Sequence, residues 1–281
     1  MKKILVPVDF SDCSRNAFFY AKSLAARMGY GLKVVHVYTG NLNPKVPRTL
    51  QMGQSNHESI QHHLQHFIGL EDHSTGTTLT LSQVEIEIEA IFAMNVVQQL
   101  ILLTREDSNE LIVMGTTGAA DIVDRLLGGT SAQLAQRAYC PIILVPKGIS
   151  FGGFKNILYA SNDESIGTQH LEQIIQMGKQ FQSNLHFVYV EEEGNEVQIQ
   201  PTIFKQIFEQ GNPSFTFTLN KIVGSTPIEG LNEYAEDHAI DLLVLVNRQR
   251  KNWENIFGQS LTKQMAVHLN RPILVYHLQA A

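Results

Sequence analysis

Short apolar runs alternate along the chain with longer stretches in which apolar residues recur every three or four positions. Ile4-Leu5-Val6-Pro7-Val8, Leu32-Lys33-Val34-Val35-His36-Val37-Tyr38, Leu111-Ile112-Val113-Met114 and Ile142-Ile143-Leu144-Val145 have the length and apolarity of buried parallel strands. Between them, residues 14–28 and 90–105 each carry one apolar face and predict helices. The first has Ser11 or Asp12 as an available N-cap and Gly29 as its stop. Residues 82–88 alternate like a strand. Pro44 and Pro47 interrupt residues 39–80, where only the run through Ile60, Leu64, Phe67 and Ile68 has helical spacing. Surface loops and a covering helix are expected there.

The pattern then repeats. Asn156-Ile157-Leu158-Tyr159-Ala160-Ser161, Leu185-His186-Phe187-Val188-Tyr189-Val190, Asp241-Leu242-Leu243-Val244-Leu245-Val246 and Arg271-Pro272-Ile273-Leu274-Val275-Tyr276 match runs of the first half in the same order. Residues 166–181 and 228–238 read as helices, the second introduced by Pro227 near its first turn. Residues 214–219 read as a strand. Each half is therefore β-α-β-α-β-α-β-α-β, an α/β pattern that calls for a parallel, doubly wound sheet. Such ordered self-similarity marks a tandem duplication. It places one domain at 1–148 and a second at 154–281, joined by a glycine-rich link at residues 148–153.

Composition narrows the classes. At 281 residues, 43% hydrophobic and 17% charged, the chain is long and apolar enough for two cores. A net charge of −6 lacks the basic footprint of a general nucleic-acid binder. Two cysteines, Cys13 and Cys140, make no disulfide framework and point to a reducing cytoplasm. Cys13, near the predicted start of the first helix, reads as a neighbour of its cap. The first apolar run is too short for a signal peptide, and none approaches the roughly 20 residues of a membrane span.

Chemistry concentrates in Met114-Gly115-Thr116-Thr117-Gly118, followed nine residues later by Gly128-Gly129-Thr130-Ser131. Glycines between a strand and a helix let a ligand approach the backbone, and the free N–H groups of the helix's first turn favour an anion. A nucleotide-phosphate site is the leading reading, a flexible loop before an ordinary helix the alternative. No Gly-x4-Gly-Lys-Ser/Thr loop and no Gly-x-Gly-x-x-Gly fingerprint occurs, which argues against a P-loop motor and a Rossmann dehydrogenase. In a doubly wound sheet the ligand sits beyond the strands' carboxyl ends where strand order reverses. Asp9 follows the first strand and Met114-Gly115 end the fourth, so both border that crevice. Asp9 could accept from a ligand hydroxyl or cap the next helix.

Val6-Pro7-Val8-Asp9-Phe10-Ser11, the strand end His36-Val37, and the spacing Gly-x2-Gly-x9-Gly at Gly115, Gly118 and Gly128 resemble the universal stress protein family in its tandem form. The resemblance covers nearly all of the chain and is weakest over residues 39–80. It implies two five-stranded parallel-sheet sandwiches of the adenine-nucleotide α-hydrolase-like type. It also implies ATP as the ligand, with or without Mg, and a regulatory or protective role with an unidentified protein partner. Pro7, Val8, Asp9 and Val37 would hold the adenosine. Met114 and Gly115 would lie against the ribose, with Thr117 and Gly118 beside the phosphates. Gly128, Gly129, Thr130 and Ser131 would cradle the phosphates. The family's fifth strands pair between subunits, so Ile142–Val145 and residues 273–276 would pair within this chain as an internal pseudo-dimer, leaving a homodimer open.

Two departures matter. Gly129 stands where the family commonly carries Ser or Thr, and losing one hydrogen bond to a charged acceptor costs about 1.5–3 kcal/mol, roughly ten- to hundredfold in affinity. The second half has Asn162 in place of Asp9, Val246-Asn247-Arg248-Gln249-Arg250 in place of the first glycine turn, and only a shifted Gly258. It is expected to hold no ATP and to serve as a packing partner. Arg125 is the only basic residue inside the glycine motif, so no dedicated ATPase is implied. A nucleotide-free scaffold is the first alternative. A metal-binding stress protein using residues 57–66, with His62 and His66 one turn apart, is the second. His36 is expected to line the core with a hydrogen bond.

Overall fold

The computed structural model describes residues 1–39, 54–69, 84–116, 129–161, 168–190, 216–222, 227–248 and 271–278. The chain divides into two units, Met1–Phe151 and Gly152–Ala281. The first contains β1 (Lys3–Pro7), α1 (Asp12–Met28), β2 (Gly31–Tyr38), α2 (Gln54–Ile68), β3 (Ile86–Phe92), α3 (Val96–Leu103), β4 (Asn109–Gly115), α4 (Gly129–Arg137) and β5 (Ile142–Val145). Its strands lie in the order β3-β2-β1-β4-β5, all parallel. β1 thus has β2 on one side and β4 on the other, and the order reverses at its carboxyl end.

Local chemistry explains the elements that frame that point. Ile4, Leu5 and Val6 are fully buried, as a central parallel strand requires. Ser11 caps α1, its side chain accepting from the Ser14 amide at 3.2 Å. Gly29 ends α1 in the left-handed region at φ 70°. The buried face of α1 includes Ala17, Phe18, Ala21, Leu24 and Ala25.

One expected boundary is corrected. The helix expected over 90–105 begins only at Val96, and Ala90 to Phe92 belong to β3, which pairs with β2 from Leu32↔Ile86 to Tyr38↔Phe92. Ile86-Glu87-Ile88-Glu89 alternates as a strand, and helix geometry starts only where Asn95 caps it by accepting from the Gln98 amide at 3.0 Å. The covering helix in the weakly patterned middle is α2, which buries Leu64 and Phe67.

The second unit contains β6 (Asn156–Ser161), α5 (Thr168–Phe181), β7 (Asn184–Val190), β8 (Thr216–Ile222), α6 (Pro227–Asp237), β9 (Leu242–Arg248) and β10 (Ile273–Leu278). Its strand order, β8-β7-β6-β9-β10, repeats that of the first unit and is again parallel. No described helix is long and apolar enough to cross a membrane.

Candidate functional site

β1 pairs with β2 as far as Pro7↔Val35, and β2 continues to Tyr38. One more rung follows, the Val8 amide donating to the Val35 carbonyl at 2.9 Å. The Val8 carbonyl is met by His36 Nδ1 at 2.8 Å. A carbonyl only accepts, so Nδ1 carries the proton there. Neighbouring residues of a strand point their backbone groups to opposite edges. Residue 37 therefore turns its N–H and C=O to the same edge as Val35, beyond the last paired residue of β1.

The space at that edge is a cavity of about 260 Å³, close to the lower end of small-ligand sites, which run from about 300 Å³ upward. The structure brings nine of the expected site residues to its wall: Pro7, Val8, Asp9, Val37, Met114, Gly115, Gly129, Thr130 and Ser131. Thr117, Gly118 and Gly128 lie outside the described residues.

Asp9 is not the cap of α1; Ser11 is. Asp9 instead braces the cap, its Oδ1 accepting from the Ser11 amide at 3.1 Å and from the Ser11 hydroxyl at 2.5 Å. Burial pushes the Asp9 carboxyl up, but the hydrogen bonds from Ser11 and its neighbours outweigh it and hold the group below the ordinary carboxylate value. A fixed negative charge therefore stands at the cavity wall. Phe10 follows with φ 64°, in the left-handed region a bulky residue rarely adopts. Its ring packs 4.5 Å from that of His36 and 5.7 Å from that of Phe67. This packing keeps the chain in that conformation beside Asp9.

Two of the expected site residues also have structural contacts. A Cβ on Gly115 would lie 2.4 Å from Cys13 Sγ and 3.1 Å from the Cys13 carbonyl oxygen. The glycine is therefore required by the packing of α1 on β4, independently of any ligand. Ser131 is buried and its hydroxyl donates to the Thr116 carbonyl at 3.2 Å. That hydrogen bond ties α4 to the end of β4; Gly129 and Thr130 at the start of α4 stand on the wall with it. Among the described residues nothing lies within 4 Å of where a Cβ on Gly129 would stand, so none of them demands glycine there.

Sequence reasoning missed Ser11, Ser14, Val96 and Leu100 at the wall and gave His36 only a core role. The apolar pair sits on α3, whose start was misplaced, so its i, i+4 face could not be aimed at the cleft. In the second unit, Asn162, Gln249, Arg250 and Gly258 lie outside the described residues. In α2, Nδ1 of His57 lies 3.2 Å from the Tyr38 hydroxyl. Among the described residues no three His, Cys, Asp or Glu side chains come together.

The model of the universal stress protein family matches residues 1–146. No curated protein matches the chain. A universal stress protein from Archaeoglobus fulgidus DSM 4304 superposes with a TM-score of 0.72 at 15% identity, over 98% of this chain and 98% of that one. A functionally unknown protein from Pseudomonas aeruginosa PAO1 superposes with a TM-score of 0.62 at 12% identity, over 99% of this chain and 92% of that one. At these identities the likeness is one of fold.

Proposed function

Because this chain belongs to the universal stress protein family, we propose that it binds an adenine nucleotide, ATP with or without Mg, in the cleft of its first unit. It acts there as a regulatory or protective protein of the cytoplasm and not as an enzyme. The observation that carries this reading is the backbone edge of Val37 opening onto a cavity with Asp9 on one wall and the start of α4 on another. Adenine offers a donor beside an acceptor, the complement of a strand's N–H and C=O. Ribose hydroxyls suit the ionised Asp9, and the first-turn amides of α4 suit phosphate oxygens. Met114 supplies apolar surface between them.

The second unit, with the same strand order, is read as a tandem copy without a nucleotide site, the first unit's packing partner in an internal pseudo-dimer. Occupancy of the first unit would bias the surface offered to a protein partner, which requires that partner to distinguish filled from empty protein.

Titrating ATP into the full chain by calorimetry tests the site. One site, abolished by Asp9→Ala and by Gly118→Val, supports it; no heat at millimolar ATP overturns it. The second reading, a nucleotide-free scaffold, draws on the Ser131 hydroxyl bonded to Thr116 and on the missing hydroxyl at Gly129.

A further inference from the structure

In the second unit Leu185-His186-Phe187-Val188 occupies the sheet position that Leu32-Lys33-Val34-Val35 occupies in the first, on the strand between the first and third. In the first unit that position holds a built-in cation. Lys33 Nζ lies 2.9 Å from Glu106, 3.2 Å from Glu89 and 4.0 Å from Glu87. Glu87 and Glu89 are the register partners of Lys33 and Val35. The corresponding register partners in the second unit are Thr218 and Asn220. An imidazole has replaced the ammonium, and a hydroxyl and an amide have replaced two carboxylates.

His186 is only 7% exposed. Its Nδ1 lies 2.9 Å from the Tyr234 hydroxyl and 3.2 Å from that of Thr218. Asn220 donates to the same Tyr234 hydroxyl at 2.7 Å. Nε2 of His186 is buried and has no hydrogen-bond partner among the described residues. Buried polar atoms are normally satisfied, so this one calls for an explanation.

A second imidazole stands beside it. His238, just past the end of α6, is exposed and stacks on the Tyr234 ring at 3.9 Å. Its Nδ1 is 2.9 Å from the Tyr234 carbonyl, which only accepts; the proton sits on Nδ1 and the lone pair on Nε2. The His186 and His238 ring centres are 5.4 Å apart with the planes at 70°. Two imidazoles sharing one tetrahedral ion through Nε2, at zinc–nitrogen distances of about 2.0–2.1 Å, have ring centres roughly 5 Å apart.

We propose that His186 and His238 form a two-imidazole site for a divalent transition-metal ion of the zinc type, open to solvent on the His238 side. The His186 Nε2 lone pair is then a ligand, and Nδ1 donates to Tyr234. A ring nitrogen tied to a carbonyl or hydroxyl while the other binds metal is the usual outer-shell arrangement. Neutral nitrogen donors select zinc, cobalt, nickel or copper over magnesium and calcium, which take oxygen ligands. With two protein ligands, solvent completes the coordination.

The test titrates Co²⁺ into metal-free full-length protein and follows visible absorption and the imidazole NMR shifts of both histidines. One ion is expected, with both histidines shifted and affinity falling roughly tenfold or more in His186→Gln and in His238→Gln. A His62→Gln/His66→Gln double variant, which alters the histidines of α2, should bind as the parent does. His238 is exposed, so His238→Gln decides the matter even where His186→Gln fails to fold. Absence of binding, binding unchanged in His238→Gln, or binding lost only in the double variant overturns the proposal.

Discussion

Gly115 and Cys13 are in contact at the crossing of β4 and α1: a Cβ on residue 115 would stand 2.4 Å from Cys13 Sγ, 3.1 Å from its carbonyl oxygen and 3.2 Å from its carbonyl carbon. Side-chain motion could relieve the first of these distances but not the other two, which are to backbone. The thiol of Cys13 is itself buried against this crossing. A glycine of the Gly-x2-Gly-x9-Gly spacing is thus a packing requirement of the sheet beneath it.

Gly115→Ala should therefore destabilise the first unit by about 1–3 kcal/mol, the range of an overpacked core site. Adding Cys13→Ala should restore only part of that loss, because the Cys13 backbone stays in place. Denaturant unfolding of the single and double variants measures both effects. Full recovery in the double variant would assign the clash to the thiol alone.

Gly129→Ser should fold as the parent does, since the new Cβ meets nothing within 4 Å among the described residues. A hydroxyl at the start of α4 would add a donor for phosphate oxygens. If ATP binds in the cleft, its affinity should rise by roughly tenfold, about 1.4 kcal/mol. Calorimetric titration of parent and variant at one salt concentration provides the comparison.

Lys33 is buried among Glu106, Glu89 and Glu87. Burial pushes its ammonium down, but the hydrogen bonds and charges of Glu106 and Glu89 outweigh that and raise it above the ordinary lysine value. The resulting stability is fully present below about pH 10.4 and is lost as pH rises through the raised folded value. The carboxylates are 42–45% exposed, so Lys33→Met should cost only about 1–2 kcal/mol at neutral pH. Unfolding midpoints across the alkaline range should fall in the parent and stay flatter in the variant.

Asp9 shows the opposite sign. Its carboxyl is held below the ordinary value near 3.9, so its contribution is present above that pH and is lost as pH falls through the depressed folded value. Asp9→Asn should remove this acid dependence. Ser11→Ala, which deletes the hydroxyl bond of the brace and the α1 cap but leaves the amide bond, should cost about 0.5–2 kcal/mol. Acid titration of stability in the parent and both variants separates the brace from the cap.

Ala239 and Gln182 follow α6 and α5 with φ of 47° and 56°, the left-handed conformation that Gly29 adopts at the end of α1. A residue with a Cβ is strained by about 1–2 kcal/mol there. Ala239→Gly and Gln182→Gly should each raise stability by up to about 1 kcal/mol, because relief of strain exceeds the added entropy of the unfolded chain. Thermal unfolding tests this directly.

Much of the architecture could be read before any coordinates. Apolar runs of strand length, one-faced helices, a cap at Ser11 or Asp12 and the stop at Gly29 are local properties; the structure settles the cap as Ser11. The ordered repetition of four runs likewise foretold that the second sheet would follow the strand order of the first. Much of the cleft wall was legible as well, because in a doubly wound sheet the first and fourth strands end at the same place.

Other features depend on residues far apart in sequence. Glu89, Ala90 and Ile91 suit a strand or a helix equally well by pattern, and pairing with β2 settles them as strand. That Gly115 answers to Cys13, that the Ser131 hydroxyl serves Thr116, and that Val96 and Leu100 face the cleft follow from how α1, α3 and α4 pack on the sheet. The meeting of His186 with His238 depends in the same way on the register of β7 and β8 and on where α6 ends. Periodicity reports which face of an element is apolar; only packing decides what that face meets, since contact depends on register and crossing, which no local pattern encodes.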